Sequence, residues 1–263
     1  MKYIITADDF GLSKSTNDAI YDGIEKGVIT STNVMVNMPY FEEAVKLRKE
    51  FSKVSIGLHW NLTTGFPLSD QSEVPTLVDD NGEFWGFEVF KKKLKQNKIS
   101  YKDIEKELSK QLKKYTKALG KPDYWNTHNH IQMLPKLFRL CVKIAKQNQV
   151  MIMRNNYKIY SNKTPFVGLC KNIIIRGMYS YAKVNKMHYI DGMLCFSDPD
   201  QKLEIETYKN KKKQTVEVIL HIAKELDSPY FGSLQKQRMD EYNFITSKFV
   251  NYKDKFKLAS FKD

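Results

Sequence analysis

Two adjacent carboxylates, Asp8 and Asp9, directly follow a short apolar run, Tyr3-Ile4-Ile5-Thr6-Ala7, that reads as a strand. Side by side at the end of a buried strand they repel each other and lose hydration, so a cation or a proton has to compensate them. A bound metal ion is the economical answer. Neighbouring residues on an extended backbone face opposite sides, so the two aspartates divide the work unless the strand ends there: one ligates, the other handles a proton. In the plainer alternative, one aspartate caps the helix after Ser13 and the other sits in a solvated turn.

Further residues of the same chemical kind recur along the chain. His59 follows Val54-Ser55-Ile56-Gly57-Leu58, His128 follows Asp123 to Asn126, Arg154 follows Val150-Met151-Ile152-Met153, and His221 follows Thr215 to Leu220. Each preceding run reads as a strand, so all of these side chains fall at strand carboxyl ends. In a parallel β/α barrel those ends share one face, which is where such enzymes carry out their chemistry. One carboxylate with two imidazoles is a common ligand set for a catalytic divalent metal, and Asp9, His59 and His128 are the candidates for it here; the plainer alternative is that His59, a lone histidine after an apolar strand, is a satisfied core or surface residue.

His221 suits a proton donor, or else simply ends a strand. Arg154 either holds a carboxylate such as Asp8, binds substrate, or makes a surface salt bridge. His130 stands two residues after His128, so on an extended segment both face one way and compete for one role. Trp60, Phe66, Phe84 and Trp85 flank a long Gly-, Pro- and Asp-rich connection from Thr63 to Gly86, where they offer rings for stacking on sugars or simply fill the core.

Strand-like and helical runs alternate from end to end, which predicts an α/β fold with a parallel sheet and helices as crossovers. Helices are expected after Ser13 or Thr16, over Tyr40 to Phe51, from Ile104 to Leu119, over Leu134 to Gln147, within the weakly patterned stretch Thr164 to Met187, and around Asp240 to Phe249. A second strand is expected near Asn33 to Asn37 and a last one at Leu258 to Phe261. No linker divides residues 1–263, which read as one domain.

The chain has 263 residues, 41% of them apolar, enough for a full core and too many for general disorder. No apolar run approaches a membrane span, and no cleavage-site pattern follows the first strand, so the protein reads as cytoplasmic. Cys141, Cys170 and Cys195 lack the spacing of a zinc ribbon and read as reduced thiols. The net charge of +13 is spread out, and the runs Lys91-Lys92-Lys93 and Lys211-Lys212-Lys213 read as solvated faces rather than a nucleic-acid footprint.

Ala7-Asp8-Asp9-Phe10-Gly11-Leu12-Ser13, Thr30-Ser31-Thr32, Met35-Val36-Asn37-Met38-Pro39, Gly57-Leu58-His59-Trp60-Asn61-Leu62-Thr63, Val74-Pro75-Thr76-Leu77, His128-Asn129-His130 with Met133-Leu134-Pro135, and Val218-Ile219-Leu220-His221 together resemble the YdjC-like carbohydrate deacetylases. That family includes chitooligosaccharide deacetylase and a hopanoid-pathway deacetylase. The resemblance implies a single-domain, barrel-like β/α fold of the glycoside hydrolase/deacetylase type, with parallel strands and outer helices. It implies hydrolysis of an N-acetylated mono- or oligosaccharide with a divalent metal, magnesium first and zinc as the alternative, and suggests a homodimer. Carried onto this chain, Asp9, His59 and His128 look like the metal ligands, Asp8 the base, and His221 the family's late histidine. A metal-dependent phosphoesterase, a sugar isomerase on a similar barrel, and a non-catalytic sugar-binding relative are the competing readings.

The departures from the pattern concentrate in one stretch, apart from Ile222, which stands where the family has a proline after the late histidine. Where the family usually reads Asp-Ser-His-His-His-Val-His, this chain has Asn126-Thr127-His128-Asn129-His130-Ile131-Gln132. The ligand histidine stays, while an acid and two imidazoles are lost.

Overall fold

The structure is a computed structural model and describes residues 1–156, 166–195, 214–251 and 253–263; the side chains of 166–172 and Cys195 are not described. The run Lys211-Lys212-Lys213 and the start of the stretch from Thr164 lie outside the described residues, as do the side chains of Cys170 and Cys195. Cys141 is a buried free thiol.

Among the described residues, nine strands form one curled sheet: β1 (Lys2–Phe10), β2 (Ser31–Val34), β3 (Ser55–Trp60), β4 (Trp125–Thr127), β5 (Ile152–Met153), β6 (His188–Tyr189), β7 (Gly192–Cys195), β8 (Thr215–Leu220) and β9 (Lys257–Leu258). Every ladder is parallel, in the order β6-β5-β4-β3-β2-β1-β8-β7 with β9 also against β1, so the sheet is an incomplete barrel among the described residues. Its helices are α1 (Lys14–Glu25), α2 (Glu43–Glu50), α3 (Phe87–Lys95), α4 (Tyr101–Leu119), α5 (Pro135–Gln147), α6 (Phe166–Val184) and α7 (Gln235–Asn243). None of the described helices is long and apolar enough to cross a membrane.

Parallel register brings the strand ends level. Ala7 pairs with Thr32 on one side and Leu220 on the other, and His59 pairs with Asn126. Ser13, not Thr16, caps α1, accepting from the Thr16 amide. Gly57 carries no side chain because Tyr124 occupies the space: an added Cβ would meet the ring at 2.6 Å.

Helix α4 ties the long connection to the sheet. Ser100 caps it, and Ile104, Leu108, Leu112, Tyr115 and Leu119 form its buried stripe. Two polar residues on that buried side, Glu107 and Gln111, satisfy loop backbone: Glu107 accepts from the Leu68 and Ser69 amides, and Gln111 both accepts from and donates to the Asn61 backbone. These bonds give a stretch without regular structure a fixed path beside the strand ends.

Several boundaries differ from the sequence reading. The second strand begins at Ser31 and stops at Val34, because Met35 to Tyr40 turn across Gly11. Helix α3 follows Gly86 where no helix was expected, and the short strands β6 and β7 fall in a region without alternating pattern. The helix expected around Asp240 starts earlier, at Gln235, and runs into a wider turn over Phe244–Lys248. The last strand is Lys257–Leu258, not Leu258 to Phe261.

Candidate metal and catalytic site

The aspartate pair escapes simple alternation through backbone geometry. β1 continues to Phe10, but Asp9 adopts a φ of 71°, and the register with β2 shifts between Ala7 and Phe10. Positive φ is uncommon for residues other than glycine, although aspartate tolerates it better than most. Both carboxylates thereby stay at the carboxyl end of the sheet, each almost wholly buried.

Asp9 accepts two imidazoles on one oxygen. His128 Nδ1 lies 3.0 Å and His59 Nε2 3.2 Å from Asp9 Oδ1. The three potential ligand atoms all lie within 4.8 Å of one another. The other oxygen, Oδ2, accepts from Arg238 Nη2 at 2.6 Å, and the Arg238 guanidinium stacks 4.9 Å from the Phe231 ring. The neighbouring positive charges and hydrogen bonds outweigh burial and hold the Asp9 carboxyl well below the usual carboxylate range.

Asp8 belongs to a second, adjoining cluster. Arg154 donates to both of its oxygens at 2.7 Å in a fork-to-fork pair, and Asn33 Nδ2 also donates to Oδ1. The same guanidinium reaches Glu217 on β8, with Nε at 2.9 Å from Oε2 and Nη2 at 2.7 Å from Oε1. Arg154 is fully buried, so the surface-salt-bridge reading does not hold. Desolvation would raise the Asp8 carboxyl, but Arg154 overcomes it and holds it far below its ordinary value.

His221 lies at the end of β8, and its backbone amide donates to Glu241 Oε2 at 2.7 Å. Burial pushes its imidazole down to about 4, against partial opposition from Asp9 and Asp8, so the side chain is neutral near pH 7. The segment after His128 is not extended. Asn129 and His130 have φ of 54° and 50°, which swings His130 away from Asp9 so that its Nδ1 lies 3.1 Å from Asn156 Nδ2. Burial, with Arg154 second, pushes His130 down to about 3. Asn129 donates to Thr63 Oγ1, and Gln132 bonds Thr127 and Asn156.

Trp60 does not face a substrate. Its ring is fully buried against Trp125, and its Nε1 donates to the Leu108 carbonyl. Phe84 is buried and Trp85 half-buried under Lys93, which leaves Phe66, 51% exposed, as the accessible ring of the four. Asp8, His59, His128, His130 and His221 line a cavity of about 650 Å³, closed on one side by Tyr230 to Leu234 and Arg238 and on another by Thr63, Thr64 and Phe87. A larger hollow of about 810 Å³ at the amino-terminal ends of β2 and β3 is lined by Phe51, Val54 and Leu258 and contains no histidine.

Arg238, Glu217 and Asn33 were not among the residues singled out in the sequence. Glu217 had a signal, a lone acid inside the apolar strand Val216 to Leu220, which points to a buried charge with a partner. Arg238 had none, since it precedes the helix expected there.

The two depressed histidines predict how stability varies with pH. In the unfolded chain both titrate near 6.5, whereas in the folded metal-free protein His221 titrates near 4 and His130 near 3. Between those limits the unfolded state binds more protons, so stability is full above about pH 6.5 and declines as pH falls toward 4. Thermal unfolding of metal-free protein from pH 7.5 to 4.5 should show this fall, reduced in His130→Gln. A melting temperature unchanged down to pH 5 contradicts it.

The model of the YdjC-like protein family matches residues 2–253. A carbohydrate deacetylase of Clostridium beijerinckii is 36% identical over 152 residues, which is 58% of this chain and 59% of that protein. One of Halalkalibacterium halodurans is 29% identical over 205 residues, 78% of this chain and 83% of that protein. A chitooligosaccharide deacetylase of Yersinia pestis is 29% identical over 159 residues, 59% and 60% of the two chains. Matches to the first and third thus span about three-fifths of each relative. A putative cellobiose-phosphate cleavage protein of Enterococcus faecalis superposes with a TM-score of 0.78 at 23% identity, over 99% of this chain and 97% of that one, which establishes the shared fold.

Proposed function

The chain belongs to the YdjC-like protein family, and from that membership together with the buried Asp9–His59–His128 cluster we infer that it is a metal-dependent hydrolase that removes acetyl groups from N-acetylated sugars or short oligosaccharides. The cluster carries the inference. One carboxylate and two imidazoles converging at the edge of a cavity suit a divalent ion with open positions, and no other group of three or more ligand-type side chains converges in this way among the described residues. The named activity of the deacetylase relatives supplies the substrate class.

Asp9, His59 and His128 would hold the ion, magnesium by family resemblance with zinc as the alternative. When bound, it supplies Lewis acidity toward a carbonyl oxygen and lowers the pKa of water. Asp8, fixed by Arg154, takes the proton as water attacks the acetamide carbon. A proton on so acidic a carboxyl moves readily to a group of higher affinity. His221, neutral at rest, accepts it and delivers it to the amide nitrogen, which leaves poorly unless protonated.

Acetate release from N-acetylglucosamine and chitobiose-type substrates, with phosphorylated sugars as a control panel, tests this reading. Activity should disappear with chelator and return with divalent metal. Phosphate release in place of acetate would transfer the site to the phosphoesterase reading.

A further inference from the structure

Asn126 stands where the salt-bridge cluster meets the metal cluster. One end of its side-chain amide lies 2.6 Å from His59 Nδ1. The other end faces Arg154 Nη1, Nη2 and Nε at 2.9, 3.0 and 3.2 Å and Asn33 Nδ2 at 3.0 Å. All four groups on that second side are donors. A primary amide offers one acceptor atom and one donor atom, so its oxygen belongs toward Arg154 and Asn33 and its nitrogen toward His59.

This orientation fixes the imidazole. With Asn126 Nδ2 donating to it, His59 Nδ1 keeps its lone pair and the ring proton resides on Nε2, which points at Asp9 Oδ1 3.2 Å away. That nitrogen is the one that must present a lone pair to an ion shared with Asp9 and His128.

We propose that Asn126 is a positioning residue that holds metal-free His59 in its Nε2–H tautomer and thereby keeps the cation affinity of the Asp9–His59–His128 site below what its ligand set allows. The proposal rests on the metal reading above. Loading the site requires the His59 proton to move from Nε2 to Nδ1 and the Asn126 amide to turn over, which withdraws its oxygen from Arg154 and Asn33. A carboxylate at 126 would have an acceptor for each side and need no such exchange. Sequence position 126 therefore sets how readily this chain takes up its ion.

Two measurements test this. In 15N-labelled, metal-free wild-type protein, long-range 1H–15N correlations should show His59 as the Nε2–H tautomer, with the signal assigned by its loss in His59→Gln. An Nδ1–H form overturns the proposal. Calorimetric titration of Co2+ into metal-free protein should show Asn126→Asp binding about 10- to 100-fold more tightly than wild type, the usual scale for an outer partner of a metal-ligating histidine. Equal or weaker binding by a folded Asn126→Asp also overturns it. Should that variant fold only with metal present, the wild-type tautomer decides. If neither protein binds Co2+, the affinity claim fails along with the metal reading, and the His59 spectrum separates that failure from an error about Asn126.

Discussion

Asp8→Asn should lower kcat by about 10²- to 10⁴-fold, the range expected for loss of a positioned general base, while Co2+ affinity stays close to wild type. The separation follows from the site's division into two clusters. Asp8 is bonded to Arg154 and Asn33, and it does not share the Asp9 oxygen on which His59 and His128 converge. An amide at position 8 keeps an acceptor for Arg154 but has little capacity to receive a proton. Parallel measurements of acetate release and Co2+ binding separate the two effects. Normal turnover in Asp8→Asn removes the base assignment, and loss of metal binding without a specific loss of kcat moves Asp8 into the metal site.

Arg154→Met should destabilise the fold by about 3–5 kcal/mol, the cost typical of leaving buried charges without their partner. The guanidinium is fully buried and satisfies two carboxylates from different strands, Asp8 on β1 and Glu217 on β8. Without it both acids face each other in the interior and must either take up protons or admit water. The melting temperature should fall by roughly 6 to 20 °C for a chain of this size. Adding Glu217→Gln should recover part of the loss by removing one stranded charge. A small shift in the single variant, or no recovery in the double, would show that the cluster is more hydrated than its burial implies.

Much of the site could be read from strand ends alone. Asp9, His59 and His128 each fall at or just beyond the end of a run that reads as a strand, and in a parallel barrel those ends share one face. Arg154 was equally visible and Asp8 stood among its candidate partners, but Glu217 and the burial were not, because an arginine after a strand looks the same whether it faces solvent or a pair of acids. Trp60 and His130 show the limit of reading direction from local sequence. Trp60 points into the core beneath α4, and His130 is turned away by two consecutive left-handed residues, a conformation without a glycine to announce it. The short strands β6 and β7 were missed because two to four residues are too few for a hydrophobic period.

By itself the sequence determined the parallel α/β class and placed one carboxylate, two imidazoles and a further acid at strand ends, because strand patterning and residue type are local properties. Tertiary structure alone decided which acid each cation serves: Arg154 goes to Asp8 and Glu217, and Arg238 to Asp9. It also decided that an amide at 126 must choose between a guanidinium and an imidazole. Those outcomes depend on distances across strands and helices far apart in the chain, and in a dry interior such distances govern which charges and hydrogen bonds are satisfied.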